Sequence, residues 1–239
     1  MRESEPSQGA SIDRGQAIRQ ALDRRKVIDA AVAYVDRNGL RQLTMRSLGA
    51  ELGVEAMSLY RYVPGREDLL EGILEAVIDE LYGDPEVLLS ARGNWQDYLQ
   101  RLAHGVRRLA LHHPNLFPLV ATRPPAAPWI RPPLRSLRWI DSFLDSLIAS
   151  GFSDKAAVAA YRAFSSFLLG HLLLEVAAAG AAIGPSDDDE FSAPEAVDLS
   201  DYPRLTQLQD YLSEDRSADE FEESLENLID RLERLVRPS

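Results

Sequence analysis

Between Leu43 and Leu70 the chain reads LTMRSLGAELGVEAMSLYRYVPGREDLL, and no other stretch limits the possible folds so tightly. Thr44 suits the N-cap of a helix over Met45–Leu52, because its hydroxyl can accept from a first-turn N–H that no carbonyl reaches. Leu48 and Leu52 lie four apart on one face, and Gly53 supplies the positive φ that ends the helix. A second helix of about seven residues follows, with Val54 and Leu59 packing inward. Ala56, Met57, Ser58, Tyr60, Arg61 and Tyr62 then form an outer surface. This is the helix-turn-helix pattern, in which the second helix enters a DNA major groove and the first crosses the phosphate backbone.

The flanks fit a small helical head. Asp23 suits an N-cap, Val27, Ile28, Ala31 and Val35 make an apolar stripe, and Asn38-Gly39 closes that helix. Beyond the pattern, Val63-Pro64-Gly65 breaks the chain and Arg66-Glu67-Asp68 opens a helix to about residue 82, with acids in its first turn. Its stripe of Leu69, Leu70, Ile73, Leu74, Val77, Ile78 and Leu81 is wide enough to face both the head and the remainder, so this helix is the expected lever between them. Residues 1–20 read as a disordered polar arm. Arg14 and Arg19 are its candidates for a minor-groove contact, with an inert tail as the other reading.

A net charge of −12 argues at first against nucleic acid. The average hides an asymmetry: from Arg24 to Arg66 there are eight basic residues against four acidic, whereas from Arg66 to the end there are 16 basic and 30 acidic. A basic head on an acidic body suits DNA binding, with the body repelled from the phosphates.

From Trp95 onward the spacing predicts helices over Trp95–His112, Asn115–Ala121, Pro132–Ser150, Asp154–Ala182, Tyr202–Leu212 and Ala218–Arg237, with no strand alternation. Pro124, Pro125, Pro128, Pro132 and Pro133 around Trp129 form a stiff connector, either a pocket wall or a spacer. Ile183–Asp201 is acidic and reads as a mobile loop, and its Asp187-Asp188-Asp189-Glu190 run lacks the alternation of a calcium loop. Ser217-x-x-Glu220 reads as a capping box. The helix it opens carries Phe221, Leu225, Leu228, Ile229, Leu232 and Leu235 on one face, which needs a partner. Absence of cysteine excludes disulfides and thiolate chemistry. The longest apolar run, Phe164–Ala182, is interrupted by His171 and Glu175, so no membrane span and a cytoplasmic location are expected.

The segment from about Arg24 to Leu81, with RRKVIDAAVAYVDRNGL, LTMRSLGAELGV and SLYRYVPGREDLL in order, resembles the DNA-binding domain of the tetracycline-repressor (TetR) family. Trp95-Gln96-Asp97, Thr122-Arg123-Pro124, Gly151-Phe152-Ser153 and Phe167-Leu168-Leu169-Gly170 resemble segments of that family's C-terminal domain. The resemblance implies an all-α chain: a head over 21–66 and a ligand-binding and dimerisation domain over 67–239. It also implies a homodimer through a four-helix bundle, here 154–182 and 218–237 of each copy. The family's DNA contacts fall on Thr44, Arg46, Ala56, Met57, Ser58, Tyr60, Tyr62 and Arg66. Arg46 suits guanine O6 and N7, Thr44, Tyr60 and Arg66 suit phosphates, and Ala56 or Met57 suits a thymine methyl. The Ala56-Met57 pair replaces a polar base-reading pair of the tetracycline repressor itself, and Arg61 replaces a Trp, so a different operator is expected.

In that repressor, polar side chains with a magnesium-binding His and Glu hold the drug. The matching positions here are Leu102, Phe143, Leu119 and Leu174, all apolar and without oxygen ligands, so magnesium–tetracycline is not expected. The same matching implies a cavity of Leu102, Val106, Leu119, Trp139, Phe143, Phe164 and Tyr82 for a hydrophobic or aromatic inducer, a solid core being the other reading. His104 is too far in sequence from His112 and His113 for chelation within one turn. His171 and Glu175 share a face and suit either a ligand grip or a satisfied pair near an interface. No metal or cofactor is expected. The reading is a ligand-responsive repressor on a pseudo-palindromic double-stranded operator, with a carrier that lacks DNA binding as the alternative. No P-loop, G-x-S-x-G, H-E-x-x-H or dinucleotide fingerprint supports an enzyme.

Overall fold

The computed structural model describes residues 22–87, 94–123, 129–130, 136–182 and 198–236. The expected arm with Arg14 and Arg19, the five prolines of the connector and the acidic run Asp187–Glu190 lie outside the described residues. Among those described there is no strand. They divide into two compact units, one ending at Val77 and the other beginning at Ile78.

The first unit holds α1 (Arg24–Asn38), a 3₁₀ turn (Leu40–Gln42), α2 (Met45–Glu51), α3 (Ala56–Leu59) and the first turns of α4 (Arg66–Gly83). Asp23 caps α1 by accepting from the Lys26 N–H, and Gly39, at φ 80°, ends it. Val27, Ile28, Ala31, Val32 and Val35 bury the stripe of α1, and Leu43, Leu48, Leu59, Val63, Leu69 and Ile73 join the same buried set. Two glycines allow helices to close up. A Cβ on Gly49 would stand 2.9 Å from the Val54 carbonyl oxygen and 3.1 Å from the Ala56 nitrogen, and one on Gly72 would stand 2.4 Å from Ile28 Cδ1.

The second unit holds the last turns of α4 with α5 (Trp95–His112), α6 (Phe117–Thr122), α7 (Leu137–Ala149), α8 (Asp154–Ala178), α9 (Pro203–Ser213) and α10 (Ser217–Val236). Asn94, Ser136 and Ser153 cap α5, α7 and α8. Helix α8 is the hub and packs against α5, α6, α7 and α10. An aromatic group fills the centre, with Phe143 5.2 Å from Trp139, 5.5 Å from Phe164 and 6.0 Å from Tyr161 between ring centroids.

Several expectations change. Helix α8 ends at Ala178 rather than Ala182, with Gly180 at φ 95° in the turn that follows. The Ser217–Glu220 capping box does not form. Asp215 accepts from both the Ser217 N–H and its hydroxyl, which holds the Asp215 carboxyl below its ordinary range. The stripe of α10 finds its partner within the chain, since Phe221, Leu225, Ile229 and Leu232 are buried in the core that α5 and α8 share. By length and hydropathy α8 is apolar enough to cross a membrane, and here it is the central helix of a packed unit.

Candidate nucleic-acid interface and ligand cavity

The surface of the head follows from how its two short helices are held. Thr44 Oγ1 accepts from the Ser47 N–H at 2.9 Å while Ser47 Oγ accepts from the Thr44 N–H at 2.9 Å, a reciprocal cap that satisfies two donors with no helical partner. Gly53, at φ 65°, turns the chain out of α2, and the Val54 N–H returns to the Gly49 carbonyl. Helix α3 has four residues rather than the seven expected. The Tyr62 and Val63 N–H groups both go to the Leu59 carbonyl, and Pro64 disfavours helical geometry at Val63.

Thr44, Arg46, Met57, Tyr60, Arg61 and Arg66 are exposed, and Ala56, Ser58 and Tyr62 are half-buried. Met57 is 75% exposed, which leaves an apolar side chain on the outer face of α3. Val54 is half-buried, so Leu59 alone anchors α3 inward within its own helix. Arg66, expected at a phosphate, also donates to the Leu43 carbonyl and so ties the start of α4 to the residue before the Thr44 cap. Sequence reasoning missed this, because the two residues are 23 apart. Ion pairs from Arg24 to Asp68 (3.2 Å) and Arg37 to Glu51 (2.6 Å) bind the helices of the head together at its edge.

In the second unit, a cavity of about 90 Å³ is bounded by Ile78, Leu81 and Tyr82 of α4 and by Val106 and Leu109 of α5. Phe117 and Val120 of α6, Trp139 of α7, and Ser165, Leu168 and Leu169 of α8 complete the wall, with Ser136 at the start of α7. Of the expected lining, Tyr82, Val106 and Trp139 border this space. Leu102, Phe143 and Phe164 are buried in the surrounding core without bordering it, and Val120 stands in place of its neighbour Leu119. Leu174 is 70% exposed, because one step along a helix swings it about 100° from Glu175, which turns inward. The seven aliphatic and aromatic members that sequence reasoning missed come from four helices, and only their arrangement in space singles them out.

The polar groups of the cavity are few. Tyr82 and Ser136 share a hydrogen bond between hydroxyls at 2.9 Å, and the Arg138 guanidinium stacks on the Tyr82 ring at 5.1 Å. Trp139 Nε1 and Ser165 Oγ are buried without a hydrogen-bonding partner. Burial pushes the nearby Tyr161 phenol up to about 12, with a smaller opposing pull from Ser165 that falls short of hydrogen-bond geometry. A second hollow, of about 600 Å³, is lined by Trp129, Leu137 and Val158 together with Arg138, Asp141 and Arg162.

The histidines are placed differently from their sequence spacing. Glu175 pairs with Arg107 at 2.6 Å, and this raises the already high pKa of that guanidinium further. His171 instead meets the Ser217 carbonyl at 3.3 Å and stacks between Phe167 and Phe221, away from the cavity. His104 lies 3.5 Å from Glu222. Because the backbone leaves the helix at His113 (φ −122°, ψ 58°), the adjacent His112 and His113 rings meet edge-on at 4.5 Å. With Glu80, 3.0 Å from His113 Nε2, they form a grouping that could hold a metal, one that sequence spacing did not suggest.

Comparison with known proteins agrees with both halves. A model described as bacterial regulatory proteins, tetR family, matches residues 27–73, and one described as tetracyclin repressor-like, C-terminal domain, matches residues 89–236. An HTH-type transcriptional regulator of Saccharopolyspora erythraea is 32% identical over 154 residues, covering 64% of this chain and 61% of the relative, so the chain spans about three fifths of that protein's length. The tetracycline repressor protein class D of Escherichia coli is 27% identical over 215 residues, 87% of this chain and 88% of that protein. The crystal structure of a possible TetR family transcriptional regulator from Streptomyces coelicolor A3(2) superposes with a TM-score of 0.68 at 31% identity, covering 90% of this chain and 100% of that one. Both domain models fall in order along one chain, each on the unit whose geometry it describes. The chain belongs to the tetracycline-repressor (TetR) family, which is one of transcriptional regulators and not of enzymes.

Proposed function

We propose that this protein is a ligand-responsive repressor, acting in the cytoplasm, that binds a pseudo-palindromic DNA operator as a homodimer and is released by a small hydrophobic or aromatic inducer. The observation that carries the reading is the pairing of an exposed Thr44–Arg66 surface in one unit with an apolar cavity in the other. Helix α4 contributes to both units. Arg46 reads a guanine, Thr44, Tyr60, Arg61 and Arg66 hold phosphates, and Ala56, Met57, Ser58 and Tyr62 face the bases or sugars beside them. With α3 so short, the turn residues Tyr60, Arg61 and Tyr62 extend the reading surface beyond the helix itself.

The dimer is supported by apolar surface that the single chain leaves uncovered. Leu174 and Val158 on α8 and Leu235 on α10 are exposed, as are Leu205, Leu208, Tyr211 and Leu212 along α9. The stripe of α10 is already covered within the chain and gives no support of its own. Two copies place two heads on half-sites about one helical turn apart.

The cavity is small, about 90 Å³, apolar and partly open, so a ligand that settles into it packs directly against its walls. Ile78, Leu81 and Tyr82 make α4 one of those walls, and a ligand that favours a displaced α4 shifts the protein away from its DNA-binding state. Among the described residues the cavity wall carries no carboxylate and no imidazole for magnesium, so the inducer differs from the metal–drug complex expected for a tetracycline repressor.

Selection of bound sequences from a random double-stranded library, with the purified protein at fixed salt, tests the reading. Enrichment of an inverted repeat is the expected result. A folded dimer that enriches nothing would mean that the protein carries small molecules without reading DNA.

A further inference from the structure

The end of α5 carries side chains that neither the DNA surface nor the cavity uses. Along a regular helix, neighbouring side chains point about 100° apart, so His112 and His113 would diverge. Here α5 stops between them. The His113 N–H still returns to the Leu109 carbonyl, but φ −122° and ψ 58° take the chain out of the helix, and the two rings meet at 4.5 Å. His113 is firmly held, since its carbonyl accepts from the Leu116 and Phe117 N–H groups and its side chain is 4% exposed. Its Nε2 is aimed at the Glu80 carboxylate of α4, 3.0 Å away. Glu80 and His112 both reach the surface. The His112 ring has no hydrogen-bonding partner among the described residues and rests against His113.

Two imidazole nitrogens and a carboxylate oxygen thus lie within 4.8 Å of one another. Around a tetrahedral zinc ion, with bonds of about 2.0–2.1 Å, ligand atoms stand about 3.3 Å apart. The Glu80–His113 pair therefore opens by only about 0.3 Å as the ion replaces the proton between its two atoms. A rotamer change of the exposed His112 closes the rest. Beside the group lies a hollow of about 170 Å³ bordered by Glu80, His112, Asp84 and Arg108, with room for water on the ion. Arg108 repels a cation little, because Asp84 at 2.6 Å and Glu86 at 3.3 Å already meet its charge.

We propose that Glu80, His112 and His113 bind a divalent ion of the zinc class, with water completing its shell. Two imidazoles and a carboxylate suit zinc, cobalt or nickel, whereas magnesium and calcium take oxygen ligands. None of the three residues lines the apolar cavity, although Leu81 and Leu109 border both spaces. A bound ion ties the last turns of α4 to the end of α5, and so holds the segment that carries Ile78, Leu81 and Tyr82. The site stands whether or not the protein reads DNA.

The test is calorimetric titration of tag-free, chelator-stripped protein with zinc chloride. One equivalent should bind and raise the melting temperature, while magnesium chloride gives no heat. The ring signals of His112 and His113, two of the four histidines in the chain, should shift while those of His104 and His171 stay in place. His112→Ala and Glu80→Gln, both at exposed positions, should each weaken binding at least about tenfold, and His104→Ala should leave it unchanged. If a variant fails to fold, the histidine signals of the wild type decide the matter. No zinc uptake at micromolar concentration, a shift confined to the other two histidines, displacement of zinc by magnesium, or wild-type affinity in either folded variant would each overturn the proposal.

Discussion

The head and the body present their candidate sites in opposite ways. In the head, every candidate residue comes from the stretch Thr44–Arg66, is exposed or half-buried, and is held by local devices: a reciprocal cap, a glycine turn, and one long-range bond from Arg66 to the Leu43 carbonyl. In the body, the wall draws on residues from Ile78 to Leu169 in five helices, and what defines the site is space left unfilled. A surface site tolerates substitution of its contacts without loss of fold, because those side chains do little for the core. A cavity shares its residues with the core, so altering its recognition and altering its stability are hard to separate.

The strongest test of that contrast is Phe143→Ala. Phe143 is fully buried at the aromatic centre of the body, and its truncation should cost about 3–5 kcal/mol. Hydrogen exchange should quicken in α5, α7 and α8 while the amides of α1 and α2 keep their protection. Equal loss in both places would show the two units to be one cooperative block. Next in size is Gly49→Ala, where the added carbon meets backbone at 2.9 Å and the head should lose about 1–3 kcal/mol in urea unfolding. A neutral result there would mean that α2 and α3 have room to separate. Arg46→Ala should weaken operator binding by about 1–3 kcal/mol and leave unfolding unchanged, as a surface site requires; undiminished affinity in a gel-shift series would remove Arg46 from the interface.

Two smaller effects sharpen the comparison. Thr44→Ala removes the cap of α2 and should cost about 0.5–2 kcal/mol of stability, with loss of operator affinity in addition if the hydroxyl also meets phosphate. In the body, the bond from Arg108 to Asp84 holds that carboxyl below its ordinary value of 3.8. Since the folded value is the lower one, the pair's contribution is present above the ordinary value and is lost as pH falls through the folded one. Arg108→Gln should therefore lower stability slightly near neutral pH, leave it unchanged below the folded value, and flatten the acid side of the profile in between.

The residues themselves show why the head was easier to read. The Thr44 cap, the Gly53 turn, the Asp23 cap and the α1 stripe depend on neighbours within one or two turns, so composition and spacing carry them. The sequence overstates the length of α3, because Arg61 favours a helix, Tyr60 does not break one, and the tightening onto the Leu59 carbonyl leaves no mark beyond Pro64. In the body the helices were legible and the site was only partly so. Tyr82, Val106 and Trp139 line the cavity, while Leu102, Phe143 and Phe164, of the same apolar kind, pack solidly beside it.

What this chain determines by sequence alone is therefore its local order: where helices start and stop, which faces are apolar, and that a basic head precedes an acidic body. Tertiary structure decided that the α10 stripe is satisfied within the chain, that Glu175 belongs to Arg107 and not to His171, and that the Trp139 N–H is left without a partner. The reason is physical. Caps and periodicity are set by bonds between residues a few positions apart, whereas an unfilled volume or an unmade hydrogen bond depends on how distant helices come to rest against one another.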